Sequence, residues 1–326
     1  VKAHVLIRVS ALPLAALKHN YMNTLQTEES KGMIKQGMDY VGSCIRPPSE
    51  ANSILLQVTL GCSHGKCTFC GSYPDKRFRV KDEQTILEDI QFAARYMQRQ
   101  DRLFLMDGDA LILPRKKLNR ILDWINEYLP WLKRIGTYAN AKGIRKKSLE
   151  ELIELRDKKL HIVYLGVESG DDRVLRDICK GSSAEELVAM GRKIKQAGIK
   201  LSVTVLLGIA GRQRSLEHAR ATGELLTRMD PDYVGALTVM LIPGTPLAEQ
   251  EAQGAFQLPD QQGLLRELRE MLAHTTLSSG LFISNHASNY LPIKVRMPRH
   301  KQEGLDMIDQ ALSGSLRLKP EWMRAL

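Results

Sequence analysis

The chain has 326 residues, 43% hydrophobic and 26% charged, enough for one large α/β domain or two small ones. Lys and Arg number 47 against 37 Asp and Glu, and the formal charge of +10 favours anionic partners such as phosphates, carboxylates or RNA. No apolar run is long enough for a membrane span, and five cysteines in so long a chain do not make a disulfide framework, so a reducing, cytoplasmic setting without a membrane partner is expected.

In chain order, the apolar opening VLIRVSALPLAAL is broken by Arg8 and Pro13 and has no basic stretch before it, which argues against a cleaved leader. Met22, Met33 and Met38 stand as alternative starts, and residues 1–52 read as an N-terminal extension. From about Ser53 short apolar runs alternate with amphipathic ones. Strands are expected at Ile54–Leu60, Arg102–Met106, Arg134–Tyr138, Ile162–Val167, Leu201–Leu207 and Tyr233–Leu241, with a seventh at Gly280–Ser284. Between the first two strands Ile86, Leu87, Ile90, Ala93, Ala94 and Met97 trace one helical face. Further helices are expected at Arg115–Tyr128, Ser148–Lys158, Ala184–Ala197, Ser215–Met229 and Pro259–Ala273. Ser148 with Glu151 three residues on makes a capping box.

Six strand–helix units with short connections predict parallel strands joined by right-handed crossovers. An open doubly wound sheet and a full or partial TIM-type barrel both satisfy that pattern. The unusual residues favour a barrel, because they follow strands one, two, four, five and six at their carboxyl ends. Those ends face one cavity in a barrel and spread along an edge in an open sheet. The expected core is 53–250, with 251–326 as a C-terminal extension capping it.

The stretch GCSHGKCTFCGSY, Gly61–Tyr73, sets Cys62, Cys67 and Cys70 in a C-x4-C-x2-C pattern directly after the first strand. Zinc with His64 as fourth ligand would crowd four donors into one short loop, whereas structural zinc usually draws two ligand pairs from separated segments. A [4Fe–4S] cluster fits better, since three thiolates hold three irons and leave the fourth open to a small chelating molecule. Cys44 and Cys179 stand alone and read as plain thiols.

With these residues the sequence resembles the radical S-adenosylmethionine (radical SAM) superfamily over about 55–247. The resemblance implies a partial (β/α)6 barrel, one [4Fe–4S] cluster on Cys62, Cys67 and Cys70, and S-adenosylmethionine bound to the open iron. An electron donor such as flavodoxin or ferredoxin would reduce the cluster, and one electron would split the sulfonium, usually giving a 5′-deoxyadenosyl radical. It also implies residue roles. Phe69 matches an aromatic near the adenine, and MDGDA offers Asp107, Gly108 and Asp109 to the methionyl ammonium. Asn140 follows the third strand as a carboxylate contact, Glu168 in GVESG takes the ribose hydroxyls, and Gly208 and Ile209 in LLGIAG border the adenine. IPGTPL, 242–247, looks like the Pro-Gly-Thr-Pro segment of several subgroups, including methylthiotransferases and oxygen-independent coproporphyrinogen oxidases. Taken singly, Asp-Gly-Asp is an ordinary loop and Gly208 and Gly211 ordinary turn glycines; their order after successive strands carries the resemblance.

Two departures stand out. The commonest family spacing is C-x3-C-x2-C, so the first gap is one residue longer here, with Gly65 able to absorb the length. This leaves open which carbon–sulfur bond breaks, and transfer of the 3-amino-3-carboxypropyl group is the alternative chemistry. Asp109 stands where glutamate is frequent, one methylene shorter.

Near the expected mouth, His286 and Tyr290 in SGLFISNHASNYLPI are candidates for proton transfer or substrate contact, with Asn289 beside them. Arg46 in RPPSEANS, leading into the first strand, is a candidate contact for an anionic group. No second cysteine cluster and no Asp-x-His-x-x-Gly segment is found, so sulfur donation and cobalamin chemistry are not expected. The basic clusters Lys142–Lys147 and Pro298–Lys301 are scattered and lack interleaved aromatics, so nucleic acid is an open partner rather than an indicated one. The reading is a radical SAM enzyme acting on a small or medium-sized substrate. The competing class is a non-catalytic iron–sulfur or zinc protein binding an anionic partner such as RNA.

Overall fold

Along Arg102–Met106, Leu103 and Leu105 join one buried cluster while Phe104 and Met106 join another, so this strand is covered on both faces. That is the condition of a parallel strand between an outer helical layer and a closed inner face. The same alternation recurs at Val163 and Leu165 against Ile162 and Tyr164.

The computed structural model describes residues 37–74 and 76–325. Its elements are β1 (Ile54–Gln57), β2 (Thr59–Leu60), β3 (Arg79–Val80), α1 (Glu83–Tyr96), β4 (Arg102–Met106), α2 (Arg115–Tyr128) and β5 (Arg134–Ala139). Next come α3 (Ala141–Arg145), α4 (Leu149–Asp157), β6 (Leu160–Glu168), α5 (Asp172–Asp177), α6 (Ala184–Gln196) and β7 (Lys200–Leu207). The chain continues through α7 (Ser215–Met229), β8 (Tyr233–Thr238), α8 (Pro246–Ala252), α9 (Gln261–Ala273), β9 (Gly280–Ile283), β10 (Lys294–Met297) and α10 (Lys301–Leu312). The apolar opening, Met22 and Met33 lie outside the described residues.

The main sheet runs β1-β4-β5-β6-β7-β8-β9-β10, parallel throughout except for the last pair. Strand order follows chain order without reversal. Right-handed crossovers then put every helix on one face, and the bare inner face must curl on itself. A doubly wound sheet would reverse its order at a switch point, so that alternative is excluded. Among the described residues β1 does not pair with β10, and the result is a partial barrel.

Three differences from the expected elements have local causes. The run Ile54–Leu60 is two strands, because after Gln57 the chain leaves the sheet and Thr59–Leu60 pairs antiparallel with Arg79–Val80. The sixth strand stops at Thr238, whose N–H donates to Ser288 Oγ and whose hydroxyl donates to Asn289 Oδ1. Beyond the parallel β9 lies an unexpected antiparallel β10, which pairs its open edge. The Ser148–Glu151 capping box forms as expected and opens α4.

The barrel floor is filled. Glu50, fully buried, accepts from Ser53 Oγ at 2.5 Å, Tyr164 hydroxyl at 2.5 Å and Arg134 Nη2 at 2.6 Å. Above it Phe104, Tyr138 and Tyr164 meet edge to face, with centroids 5.0 to 6.1 Å apart. RPPSEANS thus supplies a plug for the barrel interior through Glu50.

Candidate active site at the carboxyl ends of the strands

The cysteine loop leaves the barrel at Gly61, where φ is +68° and a Cβ would fall 2.8 Å from the Lys76 carbonyl. Three elements then clamp it. Thr68 N donates to Ile178 O past the end of α5, and Thr68 O accepts from Leu247 N in α8, both at 3.0 Å. Gly71 packs on Ile242 so closely that a Cβ would lie 2.7 Å from its Cγ2. The 242–247 segment therefore braces the cysteine loop. Cys62 and Cys67 are half-buried and Cys70 is exposed, all free thiols. Burial pushes the Cys67 thiol up to about 12, while the Lys180 ammonium acts the other way.

The Met106–Ala110 turn packs against this loop. Gly108 N donates to Gly61 O at 2.9 Å, and a Cβ at Gly108 would fall 2.7 Å from Cys62 Cα, so only glycine fits. Asp107 adopts φ +66°, and its buried Oδ2 accepts from Gln57 Nε2 at 3.0 Å and Gly61 N at 3.1 Å and pairs with Lys76 at 3.2 Å. Its carboxylate thus ties β1, the cysteine loop and Lys76 together, leaving the turn's backbone as the part available to a ligand.

Asp109 is buried too. Its Oδ2 accepts from Ser63 Oγ at 2.8 Å, and Ser63 Oγ accepts from Asn140 Nδ2 at 2.9 Å. Asn140 also caps α3, accepting from Gly143 N at 2.9 Å. Asp109 Oδ1 makes no well-aligned hydrogen bond and rests against Gly143, where a Cβ would fall 2.4 Å from it; burial pushes this carboxyl up to about 7, against the Ser63 hydroxyl and the backbone N–H groups of Asn140 and Ile112. Through Ser63 this carboxyl is tied to the residue that follows Cys62.

Glu168 sits at φ +64° and is paired with Lys180 at 2.9 Å. Burial disfavours the Lys180 ammonium, yet Glu168 and Cys67 hold its pKa above the ordinary value. Phe69 and Ile209 join one apolar cluster with Leu206, Val239, Leu241 and Leu247. Gly208, at φ +81°, donates its N–H to Glu267 Oε1 at 2.6 Å. Behind that turn Glu267 also takes the Ser215 hydroxyl, while His218 Nε2 meets Leu206 O at 3.1 Å and Nδ1 meets Ser169 Oγ at 2.8 Å. Burial pushes Glu267 up to about 8 and His218 down to about 4, so both are neutral between those values.

The other candidates sit apart from the thiols' own contacts. The loop carrying His286 is pinned to the end of β8 by Ser288 and Asn289, whose amide nitrogen donates to Ala236 O and Ser284 O. Asn289 is thereby a buried structural residue. His286 Nδ1 lies 2.9 Å from Ser288 Oγ. The Tyr290 hydroxyl donates to Glu321, accepts from Arg324 Nη1 at 2.7 Å, and its ring stacks under that guanidinium. Arg46 is exposed.

His64, the fourth ligand that the disfavoured zinc reading would need, is turned elsewhere, with Nε2 against Cys179 O at 2.7 Å. Among the described residues no three His, Cys, Asp or Glu side chains converge tightly enough to share one ion. A cubane does not require that, because each thiolate takes its own iron. Sequence reasoning missed Lys180, Ser63, Gln57 and Glu267. Ser63 lay inside the cysteine loop and was accessible to it; Lys180 and Glu267 reach the site through loop and helix packing that has no spacing signature. No helix among the described residues is long and apolar enough to cross a membrane.

The family model described as Radical SAM superfamily matches residues 56–222, just over half of the chain. An uncharacterized protein of Methanocaldococcus jannaschii is 22% identical over 75% of this chain and 77% of its own length. The 4′-phospho-dehydrooxetanocin synthase of Priestia megaterium is 23% identical over 66% of this chain but only 31% of its own length. Among solved structures, the radical S-adenosylmethionine methyltransferase TsrM of Kitasatospora setae, with tryptophan and a SAM analog bound, superposes with a TM-score of 0.51. It is 20% identical, and the match covers 62% of this chain and 39% of TsrM.

Proposed function

The chain belongs to the radical SAM superfamily, and from that membership we propose that it holds one [4Fe–4S] cluster on Cys62, Cys67 and Cys70 and reductively cleaves S-adenosylmethionine to start radical chemistry on a small or medium-sized substrate. When bound, the cluster supplies one electron to the sulfonium. The observation that carries the reading is the packing of the Asp107–Asp109 turn directly on Cys62. That donor set fits the group: three thiols with His64 drawn away, and an adjacent acceptor wall for an ammonium.

In this reading the carbonyls of the 107–109 turn and the Asp109 carboxylate orient the methionyl ammonium, with Ser63 and Asn140 fixing the carboxylate's rotamer. Phe69 and Ile209 exclude water from the adenine side through the apolar cluster they share. Glu168 keeps Oε2 for the ribose hydroxyls, since Oε1 is held by Lys180. The electron comes from a donor such as flavodoxin or ferredoxin, and a reducing, cytoplasmic setting goes with that chemistry.

Anaerobic reconstitution, addition of dithionite and S-adenosylmethionine, and chromatography of the nucleoside products test this. 5′-Deoxyadenosine is the expected product. 5′-Methylthioadenosine would instead assign 3-amino-3-carboxypropyl transfer, and intact S-adenosylmethionine would contradict both.

A further inference from the structure

The longer first cysteine gap has a structural use. At Gly65 φ is +59°, which turns the chain back and swings His64 out of the loop. Its Nε2 meets the Cys179 carbonyl at 2.7 Å, and its ring packs against Gly181, where any Cβ would fall 2.5 Å from Cε1. Gly181 has φ +73°, so glycine is required there for backbone and for contact alike. A second bond of the same seam, Thr68 N to Ile178 O, is 3.0 Å long. Between these anchors stands Lys180. Its side chain, 13% exposed, turns inward to Glu168 Oε1 at 2.9 Å. The Thr68–Ile178 bond sets the start of this connection against the residue that follows Cys67, and Glu168, at the carboxyl end of β6, anchors the ammonium on the same side of the barrel.

Reduction of a cluster adds one negative charge, and a fixed cation in a poorly solvated wall stabilises that charge more than water does. The connection bearing Lys180 is short and irregular, with Cys179 at φ +53°, so its placement depends on what holds its ends. We propose that His64 is a positioning residue: its latch on the 178–181 connection holds the Lys180 ammonium beside Cys67, where the charge favours one-electron reduction of the cluster. This assignment presupposes the cluster-binding reading of the three cysteines, and it gives the extra residue of the C-x4-C gap a purpose.

Potentiometric EPR titration of anaerobically reconstituted protein tests it, with wild type, His64→Ala, His64→Gln, Lys180→Met and the His64→Ala/Lys180→Met pair. At a fixed potential the reduced-to-oxidised ratio should fall about tenfold in His64→Ala, which is 59 mV for one electron. His64→Gln keeps a side-chain N–H for the Cys179 carbonyl and should recover most of the loss. The double variant should match Lys180→Met alone, since without the ammonium the latch has nothing to place. An unchanged midpoint in His64→Ala, or additive shifts in the double variant, would overturn the latch while leaving the cluster in place. A wild type that assembles no [4Fe–4S] signal would overturn the cluster reading and the latch with it. Hydrogen exchange of the apo protein reads the latch without iron: residues 178–183 should exchange faster in His64→Ala than in His64→Gln, and equal protection would count against it.

Discussion

The two ends of the barrel solve opposite problems with the same chemistry. At the floor Glu50 takes bonds from Ser53, Tyr164 and Arg134, and the carboxylate is fully engaged by the chain itself. At the mouth Asp109 is equally buried, but its one side-chain hydrogen bond comes from Ser63, next to Cys62, and its Oδ1 rests against Gly143 without a well-aligned partner. Backbone strain occurs at both ends: of the five non-glycine residues with positive φ among those described, Asp107, Glu168 and Cys179 stand around the cysteine loop, while Lys159 and Asp230 lie before β6 and β8. A fully engaged carboxylate at one end serves stability; the less fully bonded one at the other is the one the proposed function assigns to a ligand.

The sharpest break of this comparison is at the thiols. Replacing Cys62, Cys67 or Cys70 by Ser should cut S-adenosylmethionine cleavage by more than about 100-fold, beyond the range of outer-shell changes, with iron lost in parallel. Cys44→Ser and Cys179→Ser should retain iron, as assayed colorimetrically. Next comes a reciprocal pair. Glu50→Ala leaves Arg134 and Tyr164 without their buried partner and should cost about 3–5 kcal/mol in urea unfolding, while iron per folded chain stays unchanged. Asp109→Asn should do the reverse: unfolding nearly as in wild type, since the amide oxygen can still accept from Ser63, but S-adenosylmethionine affinity lowered about 10- to 100-fold. If Glu50→Ala abolished iron uptake per folded chain, the two ends would not be separable.

A smaller effect is expected from the buried carboxyl behind the Gly208 turn. Glu267 has a folded-state pKa raised to about 8, so its stabilising protonated form is fully present below the ordinary carboxylate range and lost as pH rises through 8. His218, lowered to about 4, works in the opposite sense, but only between about 4 and its ordinary 6.5. From pH 6.5 to 8, therefore, apo wild type should lose thermal stability. Glu267→Gln should lose less, because its amide stays neutral across this range while its oxygen can still accept from Gly208 N. An identical pH slope in both proteins would remove Glu267 from the account. The smallest change is Tyr290→Phe. Its hydroxyl is already engaged by Glu321 and Arg324, so the variant should unfold within about 1 kcal/mol of wild type and cleave S-adenosylmethionine at an unchanged rate.

Much of the frame could be read from residue patterns, because a parallel strand buried on both faces is a continuous apolar run. Arg102–Met106, Arg115–Tyr128 and Ser215–Met229 have the bounds their periodicity predicts. What periodicity could not show was where a strand yields to a loop. Ile54–Leu60 alternates too little to show a break, with only Gln57 and Thr59 polar, and the Asp107 carboxylate, reaching Gln57 and Gly61 N from the turn after β4, marks it. Helices such as α3 and α5, of one or two turns, carry too few residues for a periodic signal. At the site, the three cysteines and the turn packed on them were legible as a motif. Lys180 and Glu267 were not, because each is brought in by long-range packing rather than by spacing.

The most direct measurement is iron and sulfide content together with the EPR spectrum of oxygen-protected, reconstituted protein before and after S-adenosylmethionine. About four irons per chain, and a reduced-cluster spectrum altered by the added cofactor, are expected from a cubane held by three thiolates with one corner free. Zinc in place of iron, or a spectrum indifferent to S-adenosylmethionine, would contradict the assignment of the barrel mouth as the site of this chemistry.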